Sequence, residues 1–331
     1  MLLYPNSLQW RGALLLALLS MIWVVKARAV VWPLPPGTEV VGELLHDRMR
    51  PGDTLLDMAR MHDMGVLEMR AANPDLDPWL AYPGRDVLVP QLHVLPEIER
   101  QGIVVNLSER RLYYFAAKWP DYDGPVVVTN PVGIGLMDRS TPLLNTEVVA
   151  RLENPAWYPT QKVREWYLRE KNERLPAMVP PGPENPLGSH ALILADQDLM
   201  IHGTHRPAGV GMRVSQGCIR LYPESIAALI HQVPVGTPVT IISQPIRLGW
   251  RDGRLYLEVD PAEGDDLERF EPGAWPRHPE SLWLQLRERL DAIEGTAGAR
   301  VDLDAARAAF DRADGIPVVV GSRQATPVGE N

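Results

Sequence analysis

Between residues 102 and 242 the chain is built from short β-branched, apolar runs separated by turn residues, and that rhythm restricts the stretch to a mainly β fold. Gly102-Ile103-Val104-Val105-Asn106-Leu107 and Arg110-Arg111-Leu112-Tyr113-Tyr114-Phe115 flank Ser108-Glu109 and predict a hairpin. Gly124–Thr129, Glu147–Leu152, Ala191–Leu194, Leu199–Ile201 and Gly236–Ile242 read as further strands, and Ser225–Val233 has the spacing of a short amphipathic helix. The expected architecture is a curved β-sandwich or barrel with short helices. Arg164–Gly188 reads as one long loop, of a length that is usually either functional or without order.

Different patterns flank this stretch. Residues 38–92 run strand, helix, helix, strand in a small α+β unit. Arg50-Pro51-Gly52 makes a turn, Asp53 or Thr54 offers a helix cap, and Leu55, Met58 and Ala59 share helical spacing. Val66, Met69 and Arg70 continue in a second helix that stops at Asn73-Pro74, before a strand at Val87-Leu88-Val89. Toward the other end, Leu248–Val259 predicts a hairpin around Asp252-Gly253, Leu282–Ile293 and Leu303–Phe310 predict helices, and Ile316–Val320 predicts a strand. Residues 244–320 therefore read as an α/β accessory region, and 321–331 as a disordered tail. Prolines gather at the joints (Pro33, Pro35, Pro36, Pro90, Pro96), which marks linkers.

The N-terminus carries an address. Gly12–Val25 is an apolar run behind Arg11, and Ala27-Arg28-Ala29 has the small-x-small form of a cleavage site, so 1–29 reads as a signal peptide and the mature chain starts near Val30. The run is shorter than the roughly 20 residues that span a bilayer. Lys26 and Arg28 beside the cut would also suit a retained anchor, and only in that case is a membrane partner expected. The formal net charge is −9, and loss of Arg11, Lys26 and Arg28 makes it more acidic. That opposes nucleic-acid binding, which depends on neutralising phosphate, and gives no attraction to anionic lipid.

Cys218 is the only cysteine, so no internal disulfide is possible, and a single thiol in an exported chain needs another explanation. It lies in Ser215-Gln216-Gly217-Cys218-Ile219-Arg220, downstream of His202-Gly203-Thr204. A thiol is mostly protonated at neutral pH, and an adjacent imidazole able to take the proton makes it a nucleophile. His202 is the expected base, and its second ring nitrogen needs an acceptor to fix the tautomer. Gly217 lets the chain pass close beneath a carbonyl under attack, the N–H groups of Gly217 and Cys218 would receive the oxyanion, and Ser215 would donate within the turn. Arg220 would hold a carboxylate or order the loop, with a structural ion pair as the alternative. His202-x-x-His205 lacks a third ligand at suitable spacing, so no metal and no cofactor are expected. His190, His205 and Tyr222 read as rim of the site, and Trp157-Tyr158 as packing or cleft lining.

Two resemblances follow from these motifs. Gly52-Asp53-Thr54-Leu55, Ala72-Asn73-Pro74, Pro83-Gly84 and Val89-Pro90, in that order, resemble a LysM module, which implies binding of peptidoglycan glycan. His202-Gly203-Thr204 followed by Ser215-x-Gly217-Cys218-Ile219-Arg220 resembles the YkuD-type catalytic domain of L,D-transpeptidases, here over 100–243. Pro131-Val132-Gly133-Ile134-Gly135, Thr141-Pro142-Leu143, Asn154-Pro155-Ala156-Trp157 and Pro181–Gly188 agree with the exported members of the ErfK-like subgroup. The chain departs from many members at Gln216, where they carry a second histidine, and at Leu144-Asn145, where a glycine is frequent.

That resemblance implies a periplasmic enzyme acting on peptidoglycan stem peptides. Cys218 would attack the diaminopimelate–D-Ala bond and release D-Ala, with Thr204, Gln216 and Arg220 touching substrate. The acyl group would pass to another stem, giving a 3–3 crosslink, or to a lysine of an envelope lipoprotein. With water as acceptor the activity becomes that of an L,D-carboxypeptidase. A catalytically silent wall-binding protein is the reading from another class.

Overall fold

The computed structural model describes residues 30–196, 198–264, 266, 277–296 and 298–323. The signal segment assigned to 1–29 and residues 324–331 of the expected tail lie outside the described residues.

The N-terminal part holds β1 (Val30–Pro33), β2 (Val40–Val41), β3 (Leu44–Arg48), α1 (Leu55–Met61), α2 (Val66–Ala72), β4 (Asp86–Pro90) and β5 (His93–Val94). β3 pairs with β4 and β2 with β5, both antiparallel, so the strand–helix–helix–strand order is present. Thr54 caps α1 through a capping box with Asp57. Leu55, Met58 and Ala59 of α1 pack with Val66, Leu67 and Met69 of α2 over Val87 and Val89. Asn73 closes α2: its side-chain N–H donates to the carbonyls of Met69 and Leu88, and its oxygen accepts from Leu88 N–H. The proline-marked linker at the start is different. Val30–Pro33 is a strand against residues 126–129, and a proline is tolerated there because β1 is an edge.

The central part holds β6 (Gly102–Asn106), β7 (Arg111–Ala116), β8 (Val126–Pro131), β9 (Ile134–Gly135), β10 (Leu144–Glu153), α3 (Gln161–Lys171), β11 (His190–Leu194), β12 (Met200–His202), β13 (Arg213–Ser215), β14 (Ile219–Arg220), α4 (Pro223–Leu229) and β15 (Pro238–Ile242). Its main sheet has the order β1-β8-β7-β6-β15-β10-β11-β12-β14, with β15 parallel to β6 and β14 parallel to β12. Ile103, Val105, Leu112, Val128, Leu192, Ile201, Ile219 and Ile226 meet in one core beneath α4. The 164–188 loop needs correction. Residues 161–171 form α3, capped by Thr160 and ended by Asn172 in the left-handed region. No residue of α3 is fully buried, but its half-buried residues, Val163, Trp166 and Tyr167, are spaced i, i+3 and i+4, a helical signal that the reading of one long loop passed over.

The C-terminal part holds β16 (Ile246–Arg251), β17 (Arg254–Val259), α5 (Glu280–Glu294), β18 (Ala299–Val301), α6 (Leu303–Arg312) and β19 (Val318–Arg323), with sheet order β16-β17-β19-β18. Trp283, Leu286 and Leu290 of α5 and Ala306, Ala309 and Phe310 of α6 cover Leu255 and Leu257. The expected tail begins later than 321, because Gly321–Arg323 complete β19 between β17 and β18.

A buried charge cluster joins the three parts. The fully buried Arg247 lies 2.6 Å from Glu258, 2.6 Å from Asp260 and 3.4 Å from Glu109, and its Nε donates to Val94 O at 2.9 Å. Glu258 in turn accepts from Val94 N–H at 2.6 Å. Arg111 meets Glu68 of α2 at 2.8 Å. Buried ion pairs of this kind hold orientation more than they add stability, because desolvation offsets most of their attraction.

Candidate active site

β12 and β14 run parallel with Ile201 opposite Ile219 and His202 opposite Arg220. Side chains alternate across a strand. Ile201 and Ile219 enter the core, so Met200, His202, Cys218 and Arg220 share the other face. The motif's two halves are therefore brought together by one strand pairing.

Each residue of the Cys218 turn has a visible task. Gly217 has φ +116°, a backbone region that costs an L side chain, while the space around its Cα is open, so the requirement is conformational. Ser215, at the end of β13, donates from Oγ to the carbonyl oxygen of Cys218 at 2.5 Å and accepts the Gly217 N–H at 3.1 Å. Gly217 N–H is thus engaged, and of the two donors expected for an oxyanion the Cys218 N–H is left for it. Thr141 Oγ1 donates to Gly217 O at 2.7 Å and accepts from Gly135 N–H at 3.0 Å, which ties the turn to β9.

His202 is 2 % exposed, and its Nδ1–H donates to Gly203 O at 2.7 Å, which leaves Nε2 as the basic nitrogen. Burial, reinforced by the positive charge of Arg220, lowers its pKa to about 3. Burial also pushes the Cys218 thiol up, and Sγ donates to the carbonyl of Asp198 at 3.4 Å. The resting imidazole and thiol are therefore both neutral.

Arg220 makes no ion pair among the described residues, and its Nε is buried without a partner. The structural ion-pair alternative finds no carboxylate there. Gln216 Oε1 and His205 Nδ1 are likewise buried without partners. Thr204 Oγ1 accepts from Arg206 N–H at 3.0 Å and so shapes the loop after β12. Gly203 N–H donates to His190 O at 3.1 Å. Tyr222 is not rim: it is 2 % exposed and its hydroxyl donates to Met64 O at 3.0 Å beneath the N-terminal part. Trp157 exchanges backbone hydrogen bonds with Val179, and Tyr158 is exposed.

Three contributors were not singled out by sequence reasoning. Thr141 anchors the cysteine turn, Asp198 meets the thiol, and α3 sets Trp166 with its ring 5.9 Å from the Arg139 guanidinium and Tyr167 within electrostatic reach of Arg220. Thr141 stood in a matching segment without an assigned task, and nothing local marks the tasks of the others, which act across a turn or between elements. Among the described residues one group has metal-ligand chemistry, His93, Glu109 and Glu258, with ligand atoms within 4.8 Å of one another. Arg247 already supplies the positive charge at that place.

The fold is that of a YkuD catalytic domain: the model described as "YkuD: L,D-transpeptidase catalytic domain" matches residues 100–241. The chain is 38% identical to the probable L,D-transpeptidase ErfK/SrfK of Escherichia coli K12 over 303 residues, covering 89% of this chain and 93% of that protein. It is 35% identical over 308 residues to the probable L,D-transpeptidase YcfS of the same strain, covering 91% of each chain. With the E. coli K12 probable L,D-transpeptidase YbiS it shares 40% identity over 238 residues, 70% of this chain and 76% of that one. The chain belongs to the L,D-transpeptidase family.

Proposed function

We propose that this protein is an exported cysteine L,D-transpeptidase of the bacterial wall, with Cys218 as nucleophile and His202 as general base. The observation that carries the reading is the parallel register of β12 and β14, which sets thiol and imidazole on one face with Nε2 unprotonated. Cys218 Sγ attacks the carbonyl of the third stem residue while its proton passes to His202 Nε2. The developing oxyanion is received by the Cys218 N–H. The C–N bond to D-Ala breaks, the departing amine takes the proton from His202, and a thioester remains. An acceptor amine then forms the new C–N bond, His202 takes its proton, and sulfur leaves and is reprotonated. Arg220, which makes no ion pair among the described residues, holds a substrate carboxylate in this reading.

In the same reading, residues 1–29 direct export to the periplasm, 38–92 act as a LysM-like glycan-binding unit, 100–243 catalyse, and 244–320 brace both. No helix among the described residues is long and apolar enough to cross a membrane. The acceptor is a second stem peptide or a lysine of an envelope lipoprotein.

Intact mass spectrometry of residues 30–331 with a disaccharide-tetrapeptide tests the proposal. A thiol-linked adduct with release of D-Ala, absent from Cys218→Ala, is expected. Folded protein that gives neither overturns it in favour of a silent wall-binding protein. Hydrolysis alone in the presence of amine assigns a carboxypeptidase.

A further inference from the structure

Charged groups follow a fixed order along the direction shared by β12 and β14. Asp198 stands just before β12, Cys218 just before β14, His202 and Arg220 pair at the far end of these strands, and His205 and Arg206 come next. The sulfur therefore has a carboxylate residue behind it and guanidinium groups ahead of it. Asp198 is tied to the sulfur directly, since its carbonyl accepts the thiol at 3.4 Å. Its carboxylate is near enough to disfavour the thiolate. On the other side Arg206 and Arg220 repel each other, neither pairs with a carboxylate among the described residues, and Arg220 Nε is buried without a partner.

The turn does not demand an acid at 198. Asp198 has φ +69°, where asparagine or glycine serves at least as well as aspartate. The carboxylate is thus unexplained by backbone geometry, and it belongs to the residue whose carbonyl meets the sulfur.

A transpeptidase takes two substrates of opposite local charge. The donor stem ends in a carboxylate, whereas the acceptor brings an amine that is an ammonium ion until it loses a proton. We propose, resting on the transpeptidase reading above, that Asp198 is the acceptor-side specificity residue, receiving the incoming ammonium opposite the arginine side that holds the donor carboxylate. The ammonium gives one proton to solvent, and the neutral amine attacks the thioester carbonyl. The C–N bond forms, a second proton passes to His202 Nε2, the C–S bond breaks, and the sulfur takes that proton back. Water gains nothing from the carboxylate, so Asp198 biases the thioester toward aminolysis.

The test acylates the full chain with a disaccharide-tetrapeptide and chases it with a second tetrapeptide stem as amine. The readout is the ratio of crosslinked dimer to hydrolysed tripeptide, per acyl-enzyme formed. Asp198→Asn, which suits the left-handed turn, is expected to lower that ratio about 1.5–5-fold, the scale of one exposed charge pair, and to raise the acceptor concentration for half-saturation. Asp198→Glu should recover part of the loss. The wild-type ratio should also fall as salt rises from about 0.05 to about 0.5 M, because exposed charges are screened. A ratio unchanged in Asp198→Asn, or a wild-type thioester that only hydrolyses with amine present, overturns the proposal. A wild-type chain that never forms the acyl-enzyme overturns the transpeptidase reading itself, and that result appears before any variant is compared.

Discussion

Thr141 Oγ1 donates to the carbonyl oxygen of Gly217 at 2.7 Å while accepting the N–H of Gly135, so a 3 % exposed threonine on one loop fixes the residue that precedes Cys218. Thr141→Val keeps the shape and removes both bonds. It leaves a buried N–H and a carbonyl without partners, which costs about 1–3 kcal/mol of stability. Because the turn aims the sulfur, kcat on a tetrapeptide substrate is expected to drop about tenfold or more with KM little changed, a misplacement effect. Steady-state kinetics beside a thermal melt would separate the two losses; equal kcat in variant and wild type would sink the idea.

The neutral resting states of Cys218 and His202 have a signature in pH. His202 takes a proton only near pH 3, and the thiol ionises above its ordinary 9.0. Alkylation of Cys218 by iodoacetamide is therefore expected to climb steadily above pH 8, with no plateau between pH 5 and 8. Such a plateau would mean that a thiolate–imidazolium pair forms at rest. His202→Ala should reduce turnover by about 10²–10⁴-fold, the usual contribution of a positioned general base.

Asp63 sits in the seam between the N-terminal and central parts, accepting from Asn130 Nδ2 at 2.8 Å and from Ser225 Oγ at 2.9 Å. Burial outweighs those bonds and raises its pKa from 3.8 to about 6. The folded state thus prefers the protonated acid. Its stabilising contribution is complete below pH 3.8 and is lost as pH rises through 6. Asn at this position accepts from Asn130 and donates to Ser225 without titrating, and it tolerates the φ of +53°. The melting temperature of Asp63→Asn minus that of wild type should be positive at pH 8 and shrink toward pH 5. A pH-independent difference would contradict the assignment.

Arg247→Ala strips the cation from a site that holds Glu109, Glu258 and Asp260. Removing one partner of a buried ionic cluster costs about 3–5 kcal/mol because the remaining charges stay desolvated. The N-terminal and C-terminal parts both lean on this cluster through Val94, so they should lose structure together on heating. Calorimetry resolving a separate, unshifted N-terminal transition in the variant would contradict this.

What the sequence made legible is what local chemistry writes. The β-branched runs announced β6, β7 and β8, the turn at Asp252-Gly253 announced its hairpin, and Thr54 announced a cap. His202 and Cys218 could be paired on motif and spacing alone. Relationships between distant segments were not legible. β1 was hidden by the proline at its edge, whereas α3 carried a short helical period in Val163, Trp166 and Tyr167 that the reading of one long loop passed over. Tyr222 looked like cleft lining because nothing near it in the chain shows Met64 lying over it. Arg247 and Val94 are 153 residues apart, beyond any pattern of spacing.

The position of β15 has a kinetic consequence. It is the sheet's central strand, parallel to β6 on one side and antiparallel to β10 on the other, yet it is the last of the nine to be made. Until residue 242 is available, β1 with β6–β8 and β10–β12 with β14 are two half-sheets with exposed inner edges. Closing the gap joins segments more than a hundred residues apart, a slow search that leaves unpaired edges open to other chains meanwhile. Cys218 is thus kept from its finished surroundings until residue 242 has emerged, and a chain cut short before β15 is expected to aggregate without showing any activity.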